Sequence, residues 1–287
     1  MVSSTSKIGH ISRRRLLSLA SAALVLTSQR AMAASKIVPS FARPAVGLLP
    51  QPDSKSLSHF GGSPVVPGNF EWPQYKGKPL DFLLQIELGE IGNLNTGLEL
   101  PSTGRLLFFY DTHDQKWGFD PADRGCSSVI WLDGSGDDKR MLPREGSPLP
   151  EVEIAFSAKN TLPDPLSDHV DTLNLTAEQK QLLSSTASEN DPPYAQIGGF
   201  PALIQNDTME LESEATSAGI HVGDNSAWMR SLDAAAVKQK WQLLLQLPSM
   251  EAYGTLWGDN GNLYFWIRRD DLARRDFSKV WLILQCY

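Results

Sequence analysis

Four blocks of residues recur in the same order in the two halves of this chain, and that recurrence constrains the fold more than any other feature. Gly61-Gly62-Ser63-Pro64 is answered by Gly198-Gly199-Phe200-Pro201, and Phe82-Leu83-Leu84-Gln85-Ile86 by Leu243-Leu244-Leu245-Gln246-Leu247. Gly104-Arg105-Leu106-Leu107-Phe108-Phe109 is answered by Gly261-Asn262-Leu263-Tyr264-Phe265-Trp266, and Val129-Ile130-Trp131-Leu132 by Val280-Trp281-Leu282-Ile283. A shared order, with Gln at the same place in two apolar runs, points to internal duplication, which is read before any single element.

Each apolar run is four to six residues long, too short for a self-burying helix and suited to a strand covered on one or both faces. The expected fold class is α+β: an internally duplicated chain with two β-rich halves, mostly antiparallel sheets and a few short helices. The halves span about 57–142 and 196–287, joined by a connector at 143–195. Within the connector, Val152, Ile154 and Phe156 alternate with Glu151, Glu153 and Ala155, the pattern of one half-buried strand. A helix is expected over 177–188, with Thr176 as N-cap and Gln179 three residues on. Further helices are expected over 207–218 and 270–276, with a short one from Ala234 to Val237. The Gly-Gly-x-Pro blocks read as turns. Pro39, Pro44, Pro50 and Pro52 make residues 34–56 an extended, poorly ordered arm.

Residues 1–33 read as an address. Arg13 and Arg14 lie ahead of the uncharged apolar run from Leu16 to Leu26, and Ala31-Met32-Ala33 fits a small-residue cleavage site, the order of a twin-arginine export signal. The run is shorter than the ~20 residues that span a bilayer, so no membrane anchor is expected after cleavage. The alternative is a basic N-terminus followed by a buried helix. Export places the protein in the periplasm or outside the cell.

The signal holds five of the 26 basic residues and none of the 33 acidic ones, which leaves the remainder at 21 against 33, a formal charge of −12. Nucleic-acid binding needs clustered Lys and Arg to neutralise phosphates. The late basic pairs Arg268-Arg269 and Arg274-Arg275 are flanked by Asp270, Asp271 and Asp276, so nucleic acid is not an expected partner. Cys126 and Cys286 would enter an oxidising compartment, where a disulfide and two buried thiols are the competing readings.

Gly61-Gly62-Ser63-Pro64, Trp72-Pro73 and Asp81-Phe82-Leu83-Leu84-Gln85-Ile86, followed by Gly198-Gly199-Phe200-Pro201 and Trp257-Gly258-Asp259-Asn260-Gly261-Asn262-Leu263-Tyr264-Phe265, resemble the YwqG-like family of bacterial domains of unknown function. The resemblance covers roughly residues 57–287. It implies a duplicated α+β fold and no established activity. The export signal departs from that family's usual cytoplasmic character.

Candidate chemistry is sparse. Asp111, His113 and Asp114 follow the Leu106–Tyr110 run, where they read as an acid–base or metal-binding strand end or as a polar turn. Asp259 joins Asp111 and His113 as a candidate catalytic carboxylate. The stretch from Asp133 to Asp138 fails as a calcium loop, because Asp138 stands where Gly is needed and Arg144 where the bidentate Glu is needed. No metal site and no cofactor are expected. Gln85 and Gln246 place amides inside apolar runs; each either fastens a neighbouring backbone, the Gly-Gly-x-Pro loop included, or faces a shared cleft and binds a polar ligand. Trp72 and Trp257 would line that cleft or sit in the core. Two functions compete: a non-catalytic module that binds a protein or small polar ligand in the groove or at a sheet edge, and a hydrolase or other enzyme using Asp and His side chains.

Overall fold

The computed structural model describes residues 41–134, 136–142, 148–165, 167–171, 173–187, 195–223 and 226–287; the expected export signal lies outside the described residues. Fourteen strands form among them. They are β1 (Arg43–Pro50), β2 (His59–Phe60), β3 (Val65–Val66), β4 (Gln74–Tyr75), β5 (Lys78–Pro79), β6 (Asp81–Glu87) and β7 (Arg105–Tyr110), then β8 (Ser127–Leu132), β9 (Lys139–Arg140), β10 (Val152–Thr161), β11 (Ala195–Gly198), β12 (Trp241–Pro248), β13 (Asn262–Arg268) and β14 (Trp281–Gln285). Ten of these make one sheet in the order β14-β13-β12-β11-β1-β10-β2-β6-β7-β8, and two small pairs, β3 with β9 and β4 with β5, stand apart. Every pairing in the large sheet is antiparallel.

Two expectations change. The halves do not carry separate sheets, because β1 and β10 pair with each other along Arg43↔Thr161 to Pro50↔Ile154 and join them into one. The Pro-rich arm is not a loose lead either: Arg43–Pro50 sits in the middle of the sheet, with Ala45, Val46 and Leu48 buried. Proline cannot donate to a ladder, but Pro44 and Pro50 fall at the second and last positions of β1, which leaves the apolar stretch between them free to pair. The alternating connector residues form β10, which runs on to Thr161.

Successive side chains of a strand point to opposite faces, and β13 shows what each face meets. Leu263, Phe265 and Ile267 enter a core shared with Leu106 and Phe108 of β7, where the Phe108 and Phe265 rings meet edge to face at 5.3 Å. Tyr264 and Trp266 enter a second core with Trp241, Trp281 and Ile283, covered by Met209 and Leu211 of the helix Met209–Ser217 and by Val237 of the helix Ala234–Lys240. In the first half the outer face is covered differently, with Phe109 packed against Trp72 at 5.3 Å and Phe82 at 5.4 Å. Burial on both faces is why these runs are almost continuously apolar.

Two of the helices begin at side-chain caps, and Met209–Ser217 and Arg269–Ala273 form without one. Thr176 and Gln179 exchange side-chain to backbone bonds at 2.9 and 3.2 Å ahead of the helix Ala177–Ala187. Asp233 accepts from the Ala236 N–H at 3.1 Å ahead of Ala234–Lys240. Arg269–Ala273 is the last helix, and two four-residue helices, Leu88–Ile91 and Asp168–Asp171, add to those expected. The fold is mostly β, and its sheet is nearly a barrel. It curls until its edge strands β8 and β14 approach across the turn Phe277–Lys279.

Candidate functional site

The seam where the curled sheet fails to close is built by the segment between β7 and β8. The Asp111 carboxylate accepts the His113 and Asp114 N–H groups at 3.2 and 3.3 Å, turning the chain out of β7. Gln115, in the left-handed region at φ 45°, then reaches across to the Leu256 carbonyl and the Gly258 N–H. Beyond it Lys116–Phe119 lies along β14: Leu284 N–H donates to Trp117 O at 3.1 Å and the Trp281 indole to Gly118 O at 2.8 Å. Only glycine fits at 118, where φ is 82° and a β-carbon would stand 1.8 Å from Leu282 O. Asp120 then caps the turn Pro121–Asp123, and Asp123 folds its carboxylate back onto the Gly118 and Asp120 N–H groups.

These contacts cover the free edge of β14 and leave a cavity of about 480 Å³ beside β8, within the range of ligand pockets. Ser127, Ser128 and Val129 form one wall and Ser278 to Leu282 the other. Arg124 lies at one end, with its guanidinium 5.1 Å above the Trp281 ring and one N–H on Ser217 O at 2.9 Å. Lys279 stands exposed on the opposite wall, and Arg275 sits 5.0 Å over the ring of Trp131. Among the described residues none of these three cations is ion-paired. Cys126 also lines the cavity, but burial raises its thiol well above the usual range, so it stays protonated and is a poor nucleophile.

The residues singled out in the sequence lie elsewhere or serve other ends. Asp111 is engaged with its own turn, while His113 and Asp259 are exposed; none of the three lines this cavity. Gln85 and Gln246 are each 1 % exposed and belong to strands with four others between them. Among the described residues no shared cleft joins them. Gln85 accepts the Val65 N–H at 2.8 Å and donates to Leu57 O at 3.0 Å; Gln246 accepts the Ala202 N–H at 2.8 Å. Val65 and Ala202 each follow the Pro of a Gly-Gly-x-Pro block. Trp72 is half-buried against Phe109 and donates to Leu80 O, and Trp257 is inside, edge-on to Tyr110 at 5.9 Å. Cys126 and Cys286 are separate buried thiols and no disulfide joins them. Among the described residues no group of three or more His, Cys, Asp or Glu is placed to hold a metal, and no helix is long and apolar enough to cross a membrane.

The strongest carboxylate perturbation is away from the seam. Glu210, in the helix Met209–Ser217, is pushed up to about 7 by burial, with nearby Asp207 raising it further and its own backbone N–H, Lys238 and Arg43 opposing. Its neighbours are already committed, since Lys238 bonds Asp207 at 2.8 Å and Arg43 lies 3.9 Å over the Phe200 ring.

Sequence reading missed Arg124, Lys279, Ser127 and Ser128, and discounted Arg275 because acids flank it. The available signal was Arg124-Gly125 leading directly into a strand with hydroxyls at its start. Residues 58–286 match the family described as Domain of unknown function (DUF1963). No curated protein matches the chain.

Proposed function

The chain belongs to that family of unknown function, and from this premise we propose that it is a non-catalytic binding module, built from two copies of one sheet unit, whose ligand sits in the seam between β8 and β14. The seam cavity carries the reading: the end strand β8, Ser127 and Ser128, and the cations Arg124 and Lys279, without ion partners among the described residues, line a space of ligand size, with Arg275 near by over Trp131 of β8. The enzyme alternative loses support because the Asp111 carboxylate is spent on its own turn while His113 and Asp259 stand in solvent.

The duplication is supported by matched detail. Register shifts fall between Phe82 and Leu84 in one half and between Leu243 and Leu245 in the other, the same place in both runs. Gln85 pairs with His59, whose ring bonds Gly61 O; Gln246 pairs with Gln196, whose amide bonds Gly198 O. On this reading the leading strands are exchanged, β1 lying beside β11 and β10 beside β2. The same motifs favour placing the chain with YwqG-like members of the family. We assign its workplace to the periplasm, reached by the twin-arginine route. Arg13→Lys with Arg14→Lys should hold full-length precursor in the cytoplasm, and unchanged delivery of processed protein would overturn that location.

The binding reading is tested with the protein from residue 34 onward, using amide-proton NMR against a library of small carboxylates and amides. Shifts should cluster at residues 124–129 and 277–282 and disappear in Ser128→Trp, which fills the cavity. A library that leaves those resonances still would remove the reading.

A further inference from the structure

We propose that the seam takes an extended acidic peptide, a strand of a partner protein that pairs its backbone with the open edge of β8 and sets its carboxylates against Arg124, Lys279 and Arg275. This rests on the reading of the chain as a binding module and specifies the partner.

The two edges of the large sheet differ. A strand at the end of a sheet presents unpaired N–H and C=O groups at alternate residues, and proteins protect such edges with charges, Pro, bulges or a covering segment. The edge of β14 is covered by Lys116–Phe119. The turn Phe277–Lys279 packs close to β8, but among the described residues it gives the free edge of β8 no backbone hydrogen bond. The sequence of β8, Ser127-Ser128-Val129-Ile130-Trp131-Leu132, holds no charge and no Pro, and it pairs with β7 in unbroken register from Arg105↔Leu132 to Tyr110↔Ser127. Its far side opens on the cavity. Strand addition is the recognition mode that such an edge supports, with main-chain bonds giving affinity and side-chain contacts giving choice.

Charge selects the partner. The chain is acidic overall, 33 acids against 26 bases, yet the cations around this edge outnumber its free acids. Asp123 is turned back onto backbone N–H groups and Asp276 accepts from Ser278. Arg124 precedes β8 and Arg275 covers Trp131 near its far end, so the positive charge is spread along ~15 Å of strand at 3.4 Å per residue. A single small anion would need the cations to converge on one point. Carboxylates on alternate residues of an extended peptide match a spread of this length, and like-charged partners are repelled.

The test uses fluorescence anisotropy with the protein from residue 34 onward and three labelled hexapeptides: one alternating Glu with Val, its Lys counterpart, and the Glu peptide N-methylated at alternate backbone nitrogens. The Glu peptide should bind, and the other two should bind at least about tenfold more weakly, a loss of ~1.4 kcal/mol. Lys279→Glu and Arg275→Glu, at exposed positions, should each weaken the Glu peptide severalfold while leaving the melting temperature unchanged. Equal binding of the N-methylated peptide would refute strand pairing. If no peptide binds while small carboxylates still shift the seam resonances, the peptide inference falls and the binding module stands. Silence from both probes removes both.

Discussion

The two arms of the sheet, β10-β2-β6-β7-β8 and β1-β11-β12-β13-β14, bury their inner faces in one core but differ on their outer faces and at their free edges. The first arm is covered outside by a loop carrying Phe70 and Trp72; the second is covered by two helices over a separate core of Trp241, Tyr264, Trp266 and Trp281. One terminal strand is bonded to a passing segment, while the other is approached by the turn Phe277–Lys279 without a backbone bond among the described residues. The lesson is that the shared interior supplies the scaffold, while the candidate site arises where the arms stop resembling each other.

Removing the strand that links the arms is the most severe change. A protein starting at Gln51 lacks β1, so β10 and β11 lose their common neighbour; we expect no cooperative urea transition and no near-ultraviolet dichroism. A sharp transition from this truncation would show the arms to be independent. The next largest effect is Phe265→Ala, which opens a cavity in the shared interior and should cost about 3 to 5 kcal/mol. Phe108→Ala should cost a similar amount, and a double-mutant cycle should return a coupling of roughly 0.5 to 1.5 kcal/mol for the edge-to-face pair. Strict additivity would mean the rings do not join the arms.

A third prediction isolates the helix cover that only the second arm has. Glu210 holds its proton up to about 7 in the folded chain against an ordinary 4.5, so the native state binds that proton more tightly than the unfolded one. Its contribution is therefore complete below pH 4.5, declines as pH rises to 7 and is level above. Glu210→Gln should erase this slope and gain about 2 to 3 kcal/mol on the parent between pH 5 and pH 8 in urea melts. Parallel pH profiles would refute the assignment. The smallest changes concern what the arms share: Gln85→Leu and Gln246→Leu should each cost about 1 to 3 kcal/mol, because each strands a backbone N–H behind a Gly-Gly-x-Pro turn. A loss confined to one of them would break the likeness of the arms.

The strands β6, β7, β8, β12, β13 and β14 were legible because apolar runs of that length have few other uses, and the helix Ala177–Ala187 was legible because Thr176 and Gln179 carry local capping chemistry, whereas the Asp233 cap was not read. The strand β1 was hidden by its prolines, since its place depends on partners at Thr161 and Gly198 that no local pattern reveals. That Gln85 fastens a neighbouring backbone group was one of two readings of the sequence, as buried amides need partners, but Val65 as that partner was not named. The seam was not legible. It exists because the sheet curls far enough to bring β8 near the turn at Phe277, and curl is a property of ten strands acting together.

The central position of β1 also fixes an order of events during synthesis. Arg43 pairs with Thr161, 118 residues later, and Ala45 with Gly198, later still. The strands β6, β7 and β8 can zip together as soon as they leave the ribosome, since each neighbour is the next in line. The first strand to emerge has no neighbour until most of the chain has followed it, and closing so long a loop is slow compared with local pairing. Through that interval an apolar segment waits with both its edges bare. The strand β1, made before every other described strand, is thus among the last to be housed, which makes it the segment most in need of protection from other chains.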